Sequence, residues 1–146
     1  MPDSLQHIVE TFYRAFSGDT DLLDDVVTPD WEDIPLGPGQ QPGPDGIKPM
    51  IKGIGASFTD FHILVHDVID GRASDGNGKI GVRAEMCGTH TGDMFGIPAR
   101  GQAVHITIHE FHDIQGGRIA RTWHLEDWFG FFNQVGQAPQ ISKDTQ

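Results

Sequence analysis

A carboxylate at the end of an apolar row is the first candidate for chemistry in this chain. Residues 117–136 read GRIARTWHLEDWFGFFNQVG. If this stretch is a β-strand, its side chains alternate between two faces with a period of two. One face then consists of Ile119, Arg121, Trp123, Leu125 and Asp127. Apolar surroundings raise a carboxylate's pKa and strengthen it as a base, so Asp127 is a candidate for proton transfer. The alternative is a structural role, since Asp is a favoured helix N-cap.

The eight histidines raise the question of a metal site. His105 and His109 share one face of a predicted strand but are four residues apart, roughly 13 Å at about 3.3 Å per residue. A zinc ion holds its nitrogen ligands at about 2.0–2.1 Å, so these two histidines cannot bind the same ion. The sequence also has no HxH or HExxH spacing, and we expect no metal.

The strand that carries these histidines has one polar and aromatic face, formed by His105, Thr107, His109 and Phe111. Its other face is apolar. We expect the polar face to form a pocket wall, with surface positions as the alternative for any single histidine. GxSxG and P-loop motifs are absent from the sequence, which leaves nucleophilic esterases and P-loop nucleotide-binding proteins without support. Acid-base chemistry by carboxylates and imidazoles remains.

The composition excludes several classes of partner. The chain has 146 residues and a formal net charge of −11, which repels phosphate backbones and anionic membranes. A single cysteine, Cys87, excludes an intramolecular disulfide. The first residues, MPDSLQHIVETF, contain neither a basic region nor a long apolar run. We therefore expect a cytoplasmic protein that binds neither nucleic acid nor membranes.

Hydrophobic periodicity predicts helices first and strands later, the order of an α+β domain. We predict one domain over residues 1–146, with a frayed tail after about residue 137. A loop rich in proline and glycine begins at Trp31, and because long loops often line sites, Trp31 is a candidate for ligand binding. The predicted helices span residues 4–17, 19–28 and 45–58, and the predicted strands 61–69, 80–91, 104–112 and 118–128.

Two runs of sequence resemble one known family. Residues 88–104 read GTHTGDMFGIPARGQAV and residues 116–136 read GGRIARTWHLEDWFGFFNQVG. They are similar to the pattern of the SnoaL-like polyketide cyclases, members of the nuclear-transport-factor-2-like superfamily. That pattern has a G-T-H-x-G turn, a G-x-P-x-x-G turn, a G-[KR]-I strand, W-x-x-x-D and a closing Q-[LV]-G. With the predicted helices included, the similarity covers nearly the whole chain.

This resemblance implies a cone in which three helices pack on a strongly curved antiparallel sheet around a ligand pocket. It implies a homodimer that packs sheet against sheet, and acid-base catalysis of an intramolecular aldol condensation without metal or cofactor. The aspartate of W-x-x-x-D, Asp127 here, would be the general acid/base, and His109 is the best match for a histidine that lines the pocket. A small apolar or aromatic ligand would bind there, with contacts from His90, His105, Thr107, Phe111, Trp123 and Trp31.

Two alternatives use the same pocket. A binding or sensing protein would hold a small molecule without chemistry, and its pocket would have no second polar group near Asp127. A hydrolase or isomerase, for instance one that opens epoxides, would pair Asp127 with a carboxylate or arginine that positions water. Arg83 and Glu85 are the strand candidates for that partner.

Overall fold

A computed structural model describes residues 4–140 of the chain. The predicted frayed tail falls mainly on residues 141–146, which lie outside the described residues. None of the helices within 4–140 is long and apolar enough to span a membrane. The elements in chain order are α1 (Leu5–Phe16), a 3₁₀ turn (Thr20–Leu22), α2 (Leu23–Val26), β1 (Val27–Ile34), α3 (Pro44–Ala56), β2 (Phe58–Arg72), β3 (Gly78–His90), β4 (Ala103–Gln115), β5 (Arg118–Glu126) and α4 (Trp128–Gln134).

The five strands form one curved, unclosed sheet, in the order β1-β5-β4-β3-β2. Strands β2 to β5 pair as antiparallel neighbours, which confirms the predicted α+β cone. β1 is the exception, because it pairs in parallel with β5 at the edge of the sheet. In place of this strand the sequence predicted the end of a helix before Pro29 and a loop that begins at Trp31. Proline is tolerated in edge strands, where one side of the backbone needs no partner.

The sheet has an inner and an outer face, and helix α1 packs on the inner one. The ring of Phe12 on α1 lies 4.8 Å from that of His112 on β4, and both side chains are buried. Apolar residues of β3 and β4 fill the same face. They are Ile80, Val82, Ala84 and Met86 on β3, and Val104, Ile106 and Ile108 on β4.

A bulge in β5 decides which of its side chains reach the inner face. Ile119 pairs with Ile114 of β4 and Arg121 with Asp113, so Ala120 is an extra residue between them. One extra residue reverses the facing of every side chain beyond it. Ile119 is buried before the bulge, whereas after it Thr122 is buried and Leu125 is 72% exposed. The single face predicted from Ile119 to Asp127 is therefore wrong.

Candidate active site

A cavity of about 250 Å³ lies between the inner face of the sheet, α1 and α3. This volume is close to the lower end of the range for ligand pockets, about 300–1,000 Å³. Most of the wall is apolar, and the polar groups gather on the sheet side. The apolar lining includes Phe16, Ile47, Met50, Ile51, Ile54, Phe61, Ile63, Met86, Met94, Phe95, Ile108 and Trp128. Such a cavity suits a small apolar molecule held by a few polar contacts.

Glu110 is a buried carboxyl group in the cavity wall. It lies on the inner face of β4, and the hydroxyl of Tyr13 on α1 donates a hydrogen bond of 2.6 Å to its Oε1 atom. Burial raises the pKa of Glu110 to about 7, against the lowering effect of the Tyr13 hydrogen bond. Within residues 4–140, Oε2 accepts no hydrogen bond. The proton of Glu110 therefore exchanges at Oε2, in the pH range where a general base is most effective.

A chain of buried hydrogen bonds orients the Tyr13 hydroxyl. The indole N–H of Trp31 donates to Thr122 Oγ1 at 3.0 Å, and Thr122 Oγ1 lies 2.8 Å from His112 Nδ1. His112 Nε2 lies 2.8 Å from the Tyr13 hydroxyl. Burial lowers the pKa of His112 to about 3, so its ring is neutral and has one N–H. Because the indole of Trp31 can only donate, each group in this series of hydrogen bonds donates to the next one, from Trp31 to Glu110.

Replacing Thr122 by valine tests this chain of hydrogen bonds. The two side chains have nearly the same shape, but Val leaves the Trp31 N–H and His112 Nδ1 without partners in the core. Each unpaired buried polar group costs about 1–3 kcal/mol, so we expect Thr122→Val, which leaves two such groups, to lower the free energy of unfolding by roughly 2–6 kcal/mol. Urea denaturation measures it, with Thr107→Val on the exposed face as the control. Equal stability of the two variants would contradict the assigned chain.

His124 forms a second polar group in the cavity wall, on β5 beyond the bulge. Its Nδ1 atom lies 2.7 Å from Glu126 Oε1, and its Nε2 atom lies 2.7 Å from the Pro35 carbonyl oxygen and 3.5 Å from Asp33 Oδ1. The hydrogen bond with Glu126 raises the pKa of His124 to about 9. The imidazole is therefore positively charged at neutral pH, and both N–H groups have acceptors.

Asp33 completes the polar side of the cavity from β1. The amide of Gln40 donates a hydrogen bond of 2.8 Å to Asp33 Oδ2, and Gln40 Oε1 accepts one from the backbone N–H of Gly37. Burial raises the pKa of Asp33, although Gln40 and His124 act in the opposite direction. The cavity thus combines a carboxyl group poised for proton transfer with a fixed imidazolium in a largely apolar space. This arrangement can remove a proton next to a carbonyl group and stabilise the enolate that results.

The face of β4 predicted to form the pocket wall is the outer face, so that prediction is wrong. His105, Thr107, His109 and Phe111 are all exposed there. The strand alternates as expected, but its inner face continues from Ile108 to Glu110 and brings these two residues into the cavity. The sequence reasoning assigned polar residues to the pocket and apolar ones to the core, whereas pocket and core occupy the same side of this sheet.

Asp127 also lies outside the cavity. It is exposed, stands at the N-cap of α4, and its Oδ1 atom accepts a hydrogen bond of 2.8 Å from the backbone N–H of Gly130. The N-cap role, the alternative given above, is confirmed. The catalytic role predicted for Asp127 and His109 stays a prediction, and the cavity offers other groups for it.

The remaining predicted contacts lie in the core or on the outer face. Trp31 is buried in the core, where it donates to Thr122. His90 is fully buried, with its ring 5.6 Å from the rings of Phe58 and Phe131. The Lys79 ammonium group lies 5.5 Å from the ring centroid of Trp123, which faces away from the cavity. None of these three side chains lines the cavity.

Replacing Asp127 by alanine separates its capping role from catalysis. Loss of an N-cap side chain costs about 1 kcal/mol, so we expect a drop of that size in the free energy of unfolding and no change in catalytic rate. Asn caps helices as well as Asp does, which makes Asp127→Asn the matched control with unchanged stability. A catalytic loss in Asp127→Asn at unchanged stability would restore the acid-base role predicted from the sequence.

Comparison with known proteins agrees with the fold. A family model described as SnoaL-like polyketide cyclase matches residues 7–135. The chain belongs to the SnoaL-like polyketide cyclase family. A search of the curated proteins finds no match.

Members of this fold are seen among solved structures. TsrD from Streptomyces laurentii is 24% identical, with a TM-score of 0.79 over 91% of this chain and 95% of that chain. IdmH from Streptomyces antibioticus, described as a candidate polyketide cyclase, is 23% identical, with a TM-score of 0.75 over 90% and 97%. A SnoaL-like polyketide cyclase from Agrobacterium tumefaciens is 20% identical, with a TM-score of 0.69 over 92% and 99%. At these identities the similarities show the shared fold.

Proposed function

We propose that this SnoaL-like protein is an enzyme that closes a ring in an apolar carbonyl compound by acid-base chemistry, with Glu110 as the general acid/base. The observation that carries the proposal is the buried Glu110 carboxyl group in the cavity wall, with a pKa raised to about 7 and one oxygen held by Tyr13. Membership of the SnoaL-like polyketide cyclase family supports the reaction class.

The proposed step is the aldol addition that closes the ring in an intramolecular aldol condensation. Ionised Glu110 takes a proton from the carbon next to a carbonyl group, and the C–H electron pair forms an enolate. The enolate carbon attacks a second carbonyl carbon of the same molecule, which forms the new C–C bond and moves an electron pair onto that oxygen. The resulting alkoxide then takes the proton back from Glu110. The proton is returned, and the protein leaves the cycle unchanged.

His124 and Tyr13 give this site its electrostatic character. The imidazolium of His124 is held between Glu126 and the Pro35 carbonyl oxygen, so its charge is fixed before the substrate binds. A fixed positive charge in a largely apolar cavity stabilises a developing enolate more strongly than solvent does. Tyr13 keeps Glu110 Oε1 occupied, and the proton transfer is thereby directed to Oε2.

Exchange of α-protons tests the proposal with simple carbonyl compounds in place of the natural substrate. The protein is incubated in D₂O with small aromatic and aliphatic β-dicarbonyl compounds, and deuterium at the α-carbon is followed by NMR. We expect exchange above the buffer rate that saturates with substrate concentration. Saturable binding of these compounds with exchange at the buffer rate would support a binding protein instead and overturn the enzymatic proposal.

The alternatives from the sequence have less support in the geometry. Arg83 and Glu85 lie on the outer face, where Arg83 pairs with Asp67 at 2.6 Å, and no arginine from residues 4–140 lines the cavity. Asp127 itself lies outside the cavity, so the water-positioning pair predicted around it is missing there among the described residues. The predicted homodimer stays a prediction, and we keep it as a proposal. Mass measurement in solution tests that proposal.

A further inference from the structure

A group of metal-binding side chains lies on the outer face of the sheet, away from the cavity. Glu85 and Cys87 are on β3, and His105 on β4 pairs directly with Cys87. Glu85 Oε1 lies 2.6 Å from His105 Nδ1 and 3.4 Å from Cys87 Sγ. One atom each from the carboxylate, thiol and imidazole lies within 4.8 Å of the other two.

These distances are close to those of a metal site. With bonds of about 2.0–2.1 Å to nitrogen or oxygen and about 2.3 Å to sulfur, the ligands of a tetrahedral zinc ion lie about 3.3–3.8 Å apart. Glu85 Oε1 and His105 Nδ1 therefore need to separate slightly, by rotation of the half-buried Glu85 and the exposed His105 side chains. Cys87 Sγ lies at the bottom of the group and the His105 side chain is 64% exposed, so an ion can enter from solvent.

The surrounding structure holds these side chains in place. His66 Nε2 lies 3.1 Å from the second oxygen of Glu85, in the position of the outer partner that orients a metal-bound carboxylate. Gln134 on α4 forms two hydrogen bonds with the backbone of His105, one to N–H and one to C=O. The three donors thus come from paired strands, which position side chains more firmly than loops do.

We propose that Glu85, Cys87 and His105 bind a divalent transition-metal ion, with zinc as the best match. A thiolate, an imidazole and a carboxylate are zinc ligands, and three protein ligands leave a fourth position for water. On binding, the Cys87 thiol releases its proton to solvent, and His105 binds through Nδ1 with its proton on Nε2. The two positive charges of the ion are then balanced by the negative charges of the thiolate and the carboxylate.

The sequence reasoning missed this group because it compared histidines along one strand. The three donors come from two neighbouring strands, and their meeting depends on the register that pairs Cys87 with His105. The proposed ion is separate from the proposed acid-base chemistry, because inner-face residues Met86 and Ile108 of the same strands line the cavity. Failure of either proposal leaves the other standing.

Metal titration of the full-length protein tests the site. After treatment with a chelator, the protein is titrated with Zn²⁺ by calorimetry and with Co²⁺ by absorption spectroscopy. We expect one ion per chain and a thiolate-to-cobalt charge-transfer band that reports Cys87. Cys87→Ser should remove the band, and both Cys87→Ser and His105→Ala should weaken Zn²⁺ binding at least about tenfold, since even outer partners of a metal contribute about 10- to 100-fold.

His109→Ala is the matched control, because His109 is an exposed histidine on the same strand face but outside the group. We expect it to leave the metal affinity and the cobalt spectrum unchanged. His105 is exposed, so His105→Ala keeps the test valid even if Cys87→Ser disturbs folding. Absence of the charge-transfer band, or equal effects of His105→Ala and His109→Ala, would overturn the proposed site.

Discussion

Replacing Glu110 by glutamine is expected to lower the rate of α-proton exchange by about 10²- to 10⁴-fold, the usual contribution of general acid/base catalysis. Gln has nearly the same shape as Glu, and its amide oxygen can still accept the hydrogen bond from Tyr13. It cannot take a proton at the position of Oε2. NMR detection of deuterium incorporation, on variant and wild-type protein side by side, measures the loss.

The stability of the Glu110→Gln variant distinguishes a loss of catalytic rate from a loss of folded protein. Because the pKa of Glu110 is raised to about 7, its favourable contribution to stability is fully present below the unfolded value of about 4.5 and is lost as pH rises through 7. The loss is on the order of 3 kcal/mol. Gln does not ionise, so the variant should be more stable than wild type at pH 8. A destabilised variant at pH 8, or an unchanged exchange rate, would contradict the role of Glu110.

The pH dependence of kcat/KM is expected to be bell-shaped. Ionisation of Glu110 near pH 7 raises the rate, about tenfold per pH unit below that value, so the rate at pH 5 is about 100-fold lower than at pH 8. Above about pH 9 the rate falls again, because His124, whose pKa is raised to about 9, loses the charge that stabilises the enolate. Steady-state rates from pH 5 to 10 measure both limbs.

Two variants assign the limbs of this profile. Tyr13→Phe removes the hydrogen bond that lowers the pKa of Glu110, so the lower limb should move to higher pH. Glu126→Gln removes the main cause of the raised pKa of His124, so the upper limb should move to lower pH. A rate that is flat between pH 5 and 8 would contradict Glu110 as the base.

The helices and most strands could be predicted from the sequence because their apolar periodicity is regular. The predicted helix at residues 4–17 is α1, Leu5–Phe16, and the predicted strands 80–91 and 104–112 correspond to β3 and β4. β1 and α4 were missed. β1 contains Pro29, a residue that is typical of loops and helix ends. α4 is a short aromatic helix, WFGFFNQ, and its hydrophobic pattern continues that of the strand before it.

The site was harder to predict because it depends on which face of each strand is inside. In β4 the row Ile106, Ile108, Glu110, His112 continues an apolar face into two polar residues. Two polar side chains that continue a buried apolar row indicate a functional site, and this pattern could have been used to predict the cavity side of β4. The bulge at Ala120 carries no such signal, because nothing in RIARTWH marks an extra residue. Without it, Asp127 rather than His124 would face inward.

The W-x-x-x-D motif illustrates how a family pattern can serve structure. Here the aspartate of the motif, Asp127, ends β5 and caps α4. Its tryptophan, Trp123, lies on the outer face beside Lys79. The motif therefore shapes the junction between strand and helix, and the polar residues of the cavity come from positions between and beyond its fixed letters.

Titration of Glu110 by carbon NMR is the most direct test of the acid-base site. Side-chain carboxyl carbons are labelled, and Glu110→Gln identifies the resonance of Glu110 by its disappearance. We predict that this resonance titrates near pH 7 and that binding of a β-dicarbonyl compound shifts it. A Glu110 resonance that titrates at the ordinary value for glutamate, near pH 4 to 5, would contradict a buried base poised for proton transfer in this cavity.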